Sequence, residues 1–426
     1  MADVSKISFD PPRGMRDFYP EDMAWRTRVF DAFRAAAAAA GFEQYDACVV
    51  ESYDLLARKA GEEVGDQIYH FFDKSERHIA LRPEMTPTLA RMVAARQHNL
   101  SFPLKWTAIA QCFRYERMTK GRKREHYQWN MDIIGEDSVL AEVEVLGAAV
   151  DALRRMGLTT GDFKVHVSSR ALLGELLAAS GIPAERHSSV FLALDKRGKI
   201  PDEEIRYMLS EGGLDEAGIE KTFALLSVSD LDAAKAMAGG DSPAVRQLEE
   251  LFSLARTAGF AEALQFDVSV IRGLSYYTGI VFEAFDTKGE FRAIFGGGRY
   301  DSLLTTIGGD PTPAVGLGFG DVVVTELLKS RLGADAALPR KGVFIGWMTD
   351  GERAAALELA SRLRREGEDV NLMLRRSKPK QFFQRAGAGS CAKAVYIGPD
   401  DVAAGRARMK DLSTREETEI ALVAGA

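Results

Sequence analysis

The sequence predicts a mixed α+β fold in three parts, and three patterns support this prediction. Strand-like segments paired around polar turns alternate with helical segments in the first third of the chain. From about residue 170 to residue 263, leucine, alanine and charged residues recur with helical spacing and show no clear strand pattern. Residues 341–422 alternate between strand and helix patterns, which predicts a separate small α/β domain.

The first part opens with a helix at residues 22–40, where Trp25, Val29 and Phe33 recur at helical spacing. Gly41 is a typical stop signal after it. Further helices are predicted at residues 53–59, 84–96 and 139–156. Strands are predicted at residues 44–50, 68–73, 78–81, 106–116 and 126–134, the first of them buried.

The remaining elements follow a helical insertion at residues 170–263. Strand patterns return at residues 265–272, 279–285, 291–295 and 316–320, and a helix is predicted at residues 321–330. Small residues and a proline at 332–339 predict a linker. The last part has strand patterns at 342–347, 370–374 and 394–397 and helix patterns at 351–366 and 381–388. The predicted domains are residues 1–330 and residues 340–426.

Composition excludes several classes of protein. The 426 residues are 46% hydrophobic and 27% charged, and no run reaches the ~18 apolar residues that a membrane span needs. No secretory signal is expected at the start. The three cysteines, Cys48, Cys112 and Cys391, are scattered and odd in number, which favours reduced thiols in a cytoplasmic protein. Neither the cysteines nor the histidines have the spacing of zinc ligands, so no structural zinc is predicted. The net charge of −7 leaves a metabolic enzyme and an RNA-binding enzyme both open.

Two constellations in the first part suit charged ligands. Glu84 and Thr86 open a predicted helix, where a carboxylate and a hydroxyl either bind an ammonium group or only cap the helix. Arg114 and Glu116 precede a basic turn with four further cations, Lys120, Arg122, Lys123 and Arg124. Arginine forks bind phosphate oxygens, but a charged hairpin tip is equally often only solvated.

The strand that returns from this turn carries polar residues at every second position. Alternation places Gln128, Asn130 and Asp132 on one face of the strand. These side chains either form a polar pocket or face solvent, as one side of an antiparallel sheet commonly does.

Two later strings are further candidates. Arg272 lies at a predicted strand end, and Tyr276 and Tyr277 offer either hydroxyl groups to a ligand or aromatic rings to the core. The glycines at 296–298 precede a predicted helix and would let the backbone approach a ligand. They match neither a P-loop nor a dinucleotide-binding fingerprint.

Five strings in order resemble the class II aminoacyl-tRNA synthetases, and among them the histidyl-tRNA synthetases. These strings are residues 12–20, 113–116, 121–128, 272–279 and 297–301. The resemblance implies an antiparallel sheet flanked by helices for the catalytic domain, and a helical insertion that lies against the tRNA acceptor arm. It also implies a homodimer and a C-terminal domain that binds the anticodon. The basic stretch at 375–380 suits a phosphate backbone, although a solvated loop fits as well.

The resemblance also implies a role for each site residue. Histidine would be bound by Glu84, Met85, Thr86, Gln128, Asp132, Tyr276 and Tyr277. Of these, Asp132 and Tyr277 would bond the imidazole, which offers one donor and one acceptor, and the family commonly has glutamate where Asp132 stands. ATP would be bound by Arg114, Glu116, Arg122 and Arg124, with Arg114 and Arg272 as the catalytic residues beside the α-phosphate.

The reaction implied is attack of the histidine carboxylate on the α-phosphorus of ATP. Mg²⁺ would bridge the outer phosphates, pyrophosphate would leave, and histidine would pass to the 3′ end of tRNA(His). Val323 stands where class II enzymes carry an arginine that contacts the γ-phosphate. Since valine cannot bind phosphate, either neighbours such as Arg122 or Arg299 compensate, or activation is impaired.

Two other functions are set against this prediction. One is the histidine-binding regulatory subunit of ATP phosphoribosyltransferase, a non-aminoacylating relative that normally lacks the anticodon-binding domain, whereas residues 341–422 resemble one. The other is a class II synthetase for a different amino acid such as threonine or proline, which the string at residues 272–279 disfavours.

Overall fold

The computed structural model describes residues 8–57, 67–118, 121–197, 200–228, 230–239, 241–270, 277–333, 340–389 and 391–422. The chain divides into two compact units, Met1–Gly333 and Ala334–Ala426. No helix in these described ranges is long and apolar enough to cross a membrane.

The first unit is built on an eight-stranded sheet. In spatial order its strands are Glu43–Gln44, Leu104–Phe113, Glu125–Ile134, Ala314–Gly320, Phe295–Arg299, Ile280–Asp286, Phe163–Ser169 and Leu264–Phe266. Neighbouring strands are antiparallel except for the outermost pair at each edge, which is parallel. The α+β fold with an antiparallel sheet, expected from the sequence, is therefore confirmed.

The helices that pack on this sheet include Pro20–Ala39, Leu140–Arg155 and Asp321–Leu332. Their packing explains the alternation along strand Glu125–Ile134. Phe33 of the first helix stacks on Trp129 at 4.5 Å between ring centroids and meets the edge of Phe319 at 4.8 Å. Trp129 thus faces the helices, and the residues at alternate positions face the opposite side of the sheet.

A small antiparallel sheet and a helix lie beside the main sheet. The strands are Val50–Ser52, His78–Leu81 and His70–Phe72, and the helix is Thr86–Ala94. Residues 53–57 are helical, and the rest of the helix predicted at 53–59 lies outside the described residues. A short helix, Leu303–Thr306, follows the strand Phe295–Arg299.

The region predicted to be helical from residue 170 to residue 263 forms helices. They are Arg170–Ala179, Ala184–Leu194, Asp202–Glu211, Glu216–Leu225, Leu231–Met237 and Pro243–Thr257. Several start where the sequence offers a capping oxygen: Asp215 accepts from Gly218 N, and Asp230 accepts from Ala233 N.

The second unit has a five-stranded sheet of its own. Its strands in spatial order are Val370–Leu372, Val343–Trp347, Lys393–Ile397, Arg406–Asp411 and Glu417–Ala421. The first three are parallel, as the α/β alternation predicts, and the last two are antiparallel. Its helices are Arg353–Arg365, Pro379–Ala388 and Pro399–Ala404. The sequence prediction missed the last two strands and the last helix.

Several predicted elements are wrong in their bounds. The stretch 44–50, predicted to be a buried strand, is mostly exposed and forms ladder pairs only at its two ends. The strand predicted at 291–295 begins only at Phe295, so the three glycines lie inside a strand and not in a loop. Runs of apolar residues predicted these strands, but hydrogen-bonded pairing with neighbouring strands decides where a strand begins. The strand predicted at 265–272 ends at Phe266, and residues 271–272 lie outside the described ranges.

Candidate active site

An open cavity of about 230 Å³ lies on the face of the main sheet opposite the side chain of Trp129. It is lined by eight of the predicted site residues, Glu84, Thr86, Arg114, Glu116, Arg122, Gln128, Asp132 and Tyr277. These residues come from sequence positions almost 200 apart, and the sheet brings them together. Arg272 and Tyr276 lie outside the described residues.

Asp132 is buried at one end of this cavity, with 1% of its surface exposed. The Tyr300 hydroxyl donates a hydrogen bond of 2.5 Å to Asp132 Oδ1. Burial, and then the charge of Asp132, raise the pKa of Tyr300 well above its ordinary value, so the phenol stays protonated as a donor. Tyr300 therefore holds one carboxylate oxygen of Asp132, which fixes the orientation of the group.

Two glycines of strand Ala314–Gly320 make room for the polar side chains of the neighbouring strand. A Cβ on Gly316 would lie 2.0 Å from Asp132 Oδ1, and a Cβ on Gly318 would lie 2.3 Å from Gln128 Nε2. Any side chain at these positions would collide with Asp132 or Gln128. The alternating glycines thus let both polar side chains lie along the sheet surface.

The polar face of strand Glu125–Ile134 is a pocket wall and not a solvent-facing surface. Gln128 and Asp132 line the cavity, and Asn130 between them is 1% exposed but does not line it. The alternative of a solvated sheet face is excluded by this burial.

Glu84 and Thr86 lie beside this polar wall. The helix begins at Thr86, so Glu84 precedes it and is not part of its first turn, contrary to the prediction. The N-cap position of this helix is Met85, whose side chain makes no capping hydrogen bond. The Met85 side chain is buried in an apolar cluster with Ala108 and does not line the cavity, and the predicted contact of Met85 with histidine stays a prediction.

Arg114 lies on the cavity wall next to this segment. Its Nε donates to Pro83 O at 2.9 Å, which fixes the guanidinium beside Glu84. Strand Leu104–Phe113 ends directly before Arg114, and the chain then leaves the sheet toward the basic turn.

The basic turn forms the opposite end of the cavity. Arg122 Nε lies 2.6 Å from Glu116 Oε2, and Lys123 also lines the cavity. Arg124 instead places its guanidinium 3.8 Å from the ring centroid of Tyr115 and lies outside the cavity lining. The structure therefore brings Arg122 and Glu116 together at the cavity and does not bring Arg124 there.

A buried ion-pair network holds the sheet and the helix Asp321–Leu332 together at this end. Arg16 pairs with Glu125 at 2.7 Å and with Asp321 at 3.1 Å. Asp321 also accepts a hydrogen bond from Tyr127 N at 2.9 Å. The first turn of the helix is thus fixed so that Val323 lines the cavity.

Arg122 and Arg299 are the two neighbours that could replace the arginine that class II enzymes carry at the position of Val323, and the structure distinguishes between them. Val323 lies against Gly121 of the basic turn, since a Cβ on Gly121 would be 3.4 Å from Val323 Cγ2. Both residues line the cavity, so this part of the cavity wall is apolar. Arg299 does not compensate, because its guanidinium makes two bonds of 2.7 Å to Glu142 and donates to Glu136 O and Ser138 O. Arg122 lines the cavity, where it pairs with Glu116.

His126 is a cavity residue for which the sequence reasoning gave no role. Burial, and next the charge of Arg114, lower the pKa of His126 to about 3, so its imidazole is neutral at physiological pH. Its Nε2 lies 3.4 Å from Gln128 Oε1. The alternation that selected Gln128 and Asp132 also includes His126 and could have found it. Alternation along strand Ala314–Gly320 likewise places Gly316 and Gly318 on one face, so the sequence could have indicated these two glycines as well.

Groups of three or more carboxylate, histidine or cysteine side chains that could hold a metal ion do not occur among the described residues. The two acidic side chains at the cavity surface near arginines are Glu84 and Glu116.

The sheet, the helices that pack on it and the basic turn over a polar cavity define the class II aminoacyl-tRNA synthetase fold. The family model described as histidyl-tRNA synthetase matches residues 14–320. The chain is 46% identical over 421 residues to the chloroplastic/mitochondrial histidine–tRNA ligase of Arabidopsis thaliana, covering 98% of this chain and 86% of the relative. It is 38% identical to the histidine–tRNA ligase of Opitutus terrae, covering 97% of this chain and 96% of the relative.

Solved structures agree on the fold. The histidyl-tRNA synthetase from Nostoc sp. PCC 7120 superposes with a TM-score of 0.81 at 24% identity, covering 98% of this chain and 97% of that one. A structure described as an ATP phosphoribosyltransferase regulatory subunit/histidyl-tRNA synthetase from Bacillus halodurans superposes with a TM-score of 0.76 at 22% identity, over 92% and 99% of the two chains. The chain belongs to the histidyl-tRNA synthetase family.

Proposed function

We propose that the chain activates L-histidine with ATP to histidyl-adenylate and pyrophosphate, and then transfers histidine to the 3′ end of its tRNA. One observation carries this proposal: a single cavity has a buried carboxylate with tyrosines at one end and basic side chains at the other. A site that binds an amino acid with a polar ring next to the triphosphate of ATP needs both kinds of side chain, the carboxylate with tyrosines and the basic residues. The family to which the chain belongs supplies the substrates that the two ends would take.

Histidine selectivity would come from the end that contains Asp132. A neutral imidazole offers one donor and one acceptor, so Asp132 accepts its N–H and the Tyr277 hydroxyl donates to its other nitrogen. Tyr300 holds Asp132 in place through its bond of 2.5 Å. A bound amino acid that covers Asp132 without donating a hydrogen bond to it gains nothing for the water it displaces, so an amino acid without a matching ring N–H is bound less well.

The ammonium and carboxylate groups of histidine would lie between the two ends. Glu84 and Thr86 bind the ammonium group, and Gln128 lines the same cavity. Arg114, fixed by Pro83 O, binds the histidine carboxylate and the α-phosphate together. This arrangement brings the attacking oxygen to the phosphorus, and Arg272 adds positive charge to the α-phosphate as pyrophosphate leaves.

The outer phosphates would lie at the basic end, where Arg122 contacts them. Mg²⁺ keeps most of its water and binds through phosphates and one or two carboxylates, so it needs no cage of protein ligands. Glu116, which pairs with Arg122, is the carboxylate at that end of the cavity and fits this limited donor set. Bound Mg²⁺ would neutralise the leaving pyrophosphate. In the second step a ribose hydroxyl of the tRNA attacks the adenylate, and a phosphate oxygen of the adenylate takes its proton.

The second unit would bind the anticodon of the tRNA. The loop after strand Val370–Leu372 and the first turn of helix Pro379–Ala388 expose a run of cations, Arg375, Arg376, Lys378 and Lys380. Replacing Arg375 and Lys380 with alanine should weaken tRNA binding and reduce its dependence on salt concentration, while histidine-dependent exchange stays unchanged.

We also propose that the chain acts as a homodimer in the cytoplasm. The small sheet of the first unit exposes apolar side chains, with Phe71 46% and Phe72 66% exposed, and a second copy would cover them. Sedimentation of the purified chain would test this state, and a monomer that retains full activity would overturn it.

The decisive experiment is histidine-dependent exchange of pyrophosphate into ATP, with the other amino acids as controls. Exchange with histidine alone is the expected result. Asp132→Ala should lose the selectivity for histidine, and an unchanged histidine affinity in that variant would refute the assignment of the pocket. A folded chain that binds histidine and exchanges no pyrophosphate would instead support the regulatory-subunit alternative.

A further inference from the structure

Three segments leave the central sheet at the same end, next to the cavity. In the antiparallel register Phe295 pairs with Phe319, and Gly320 pairs with Gln128. The residues before Phe295 and after Gly320 therefore leave the sheet at the end where strand Glu125–Ile134 begins, and the basic turn lies directly before Glu125. Arg292, Val323 and the basic turn lie on these three continuations.

Arg292 directly precedes a segment that lines the cavity. The next four residues along the chain line the cavity, Ala293, Ile294, Phe295 and Gly296, and Ile294 N is fixed by a bond of 2.7 Å to Ala284 O. The side chain of Arg292 is exposed, and no carboxylate in the described part of the chain forms an ion pair with it. A long cationic side chain thus lies directly before a fixed backbone segment of the cavity lining.

The outer phosphates of ATP would need more positive charge at the basic end of the cavity than Arg122 supplies. ATP carries most of its charge on the outer phosphates, whereas the charge of Arg122 is already shared with Glu116 at 2.6 Å. Val323 contributes an apolar wall, and Arg299 is engaged by Glu142. Within the described ranges, neither Lys123 nor Arg292 forms an ion pair with an acidic side chain.

The electrostatics agree with a shared anion site. Burial lowers the pKa of Arg122, and the charges of Arg292 and Arg114 lower it further, while Glu116 acts in the opposite direction. Like charges that face one cavity repel each other, and an anion between them removes the repulsion.

We propose that Arg292 binds the outer phosphates of ATP together with Arg122 and Lys123, and supplies the positive charge that Val323 does not provide. The inference rests on the proposed function in one respect, because it takes ATP as the nucleotide that the cavity binds. Arg292 has no role in binding histidine or adenine in this arrangement.

The test compares the binding of ATP and AMP, each with Mg²⁺, to the full chain by calorimetry. Arg292→Ala should weaken ATP binding on the order of 10- to 100-fold, the effect of one charge-assisted hydrogen bond, and leave AMP binding unchanged. Arg292→Lys should recover part of the loss. Arg256→Ala is the matched control, because Arg256 is an exposed arginine on helix Pro243–Thr257 and should change neither affinity.

A second variant tests the relation to Val323. Adding Val323→Arg to Arg292→Ala should restore ATP binding and lower the KM for ATP in pyrophosphate exchange. If Arg292→Ala binds ATP as well as Arg256→Ala does, or loses ATP and AMP binding equally, the proposal is overturned. Failure of the proposed function is a separate outcome: the wild-type chain would then show no histidine-dependent exchange, while the difference between ATP and AMP would still decide the role of Arg292.

Discussion

Replacing Gly316 with alanine should weaken histidine binding and leave ATP binding nearly unchanged. A Cβ at this position would lie 2.0 Å from Asp132 Oδ1, 2.8 Å from Asp132 Cγ and 2.9 Å from Met131 O. Ordinary contacts begin at 3.4 Å, so the carboxylate has to move by more than an ångström. It cannot do so and keep the bond of 2.5 Å to Tyr300.

The size of the effect follows from the bonds that the displaced carboxylate gives up. A hydrogen bond to a charged group contributes about 1.5–3 kcal/mol, which corresponds to a roughly 10- to 100-fold change in affinity. Overpacking of the same site adds about 1–3 kcal/mol to the cost of folding. We therefore expect the KM for histidine to rise by one to two orders of magnitude while the KM for ATP changes little.

The assay is pyrophosphate exchange with histidine and ATP varied in turn, on chains shown by thermal unfolding to be folded. Gly320→Ala is the control on the same strand, since a Cβ there meets no atom within 4 Å. Equal values of the KM for histidine in the Gly316 and Gly320 variants would refute the reasoning, because Asp132 would then not be the partner of the substrate ring.

Three further predictions concern stability, pH and catalysis. Glu142→Gln should lower the free energy of unfolding by about 3–5 kcal/mol, because it leaves the buried guanidinium of Arg299 without its main carboxylate partner; denaturant titration measures this. His126 has a folded-state pKa of about 3 against an ordinary 6.5, so the unfolded chain takes up a proton first as the pH falls. The free energy of unfolding should therefore drop by about 2 kcal/mol between pH 7.5 and pH 5. His126→Gln should remove that part of the loss, and urea unfolding at the two pH values measures it. Arg272→Ala should abolish adenylate formation while histidine binding, measured by calorimetry, largely survives.

Each of these predictions has a control or a contrary outcome. Asp151→Asn breaks an exposed pair with Arg155 and should cost less than about 1 kcal/mol, so an equal loss in the Glu142 variant would contradict the first prediction. The second fails if wild type and the His126 variant lose stability in parallel on acidification. Unchanged pyrophosphate exchange in the Arg272 variant would end the catalytic assignment of that residue.

Elements with a strong local pattern could be predicted from the sequence. The helix at 22–40 and the helical insertion are found where apolar residues recur every three to four positions, because side chains on one helix face depend only on the local chain. The hairpin formed by strands Leu104–Phe113 and Glu125–Ile134 was also predicted, since its strands are adjacent in sequence. Short strands such as those within residues 43–52 were not, because their bounds depend on partners far along the chain.

The sequence by itself determined which kinds of side chain the site contains, through Glu84, Arg114, Gln128 and Asp132 and the strings that carry them. Only the tertiary structure decided how these side chains are held and which neighbours take part. Tyr300 reaches Asp132 across 168 residues of chain, and Arg299 is paired with Glu142 across 157. Such contacts follow from sheet register and packing, which are set by the whole chain and not by any local pattern.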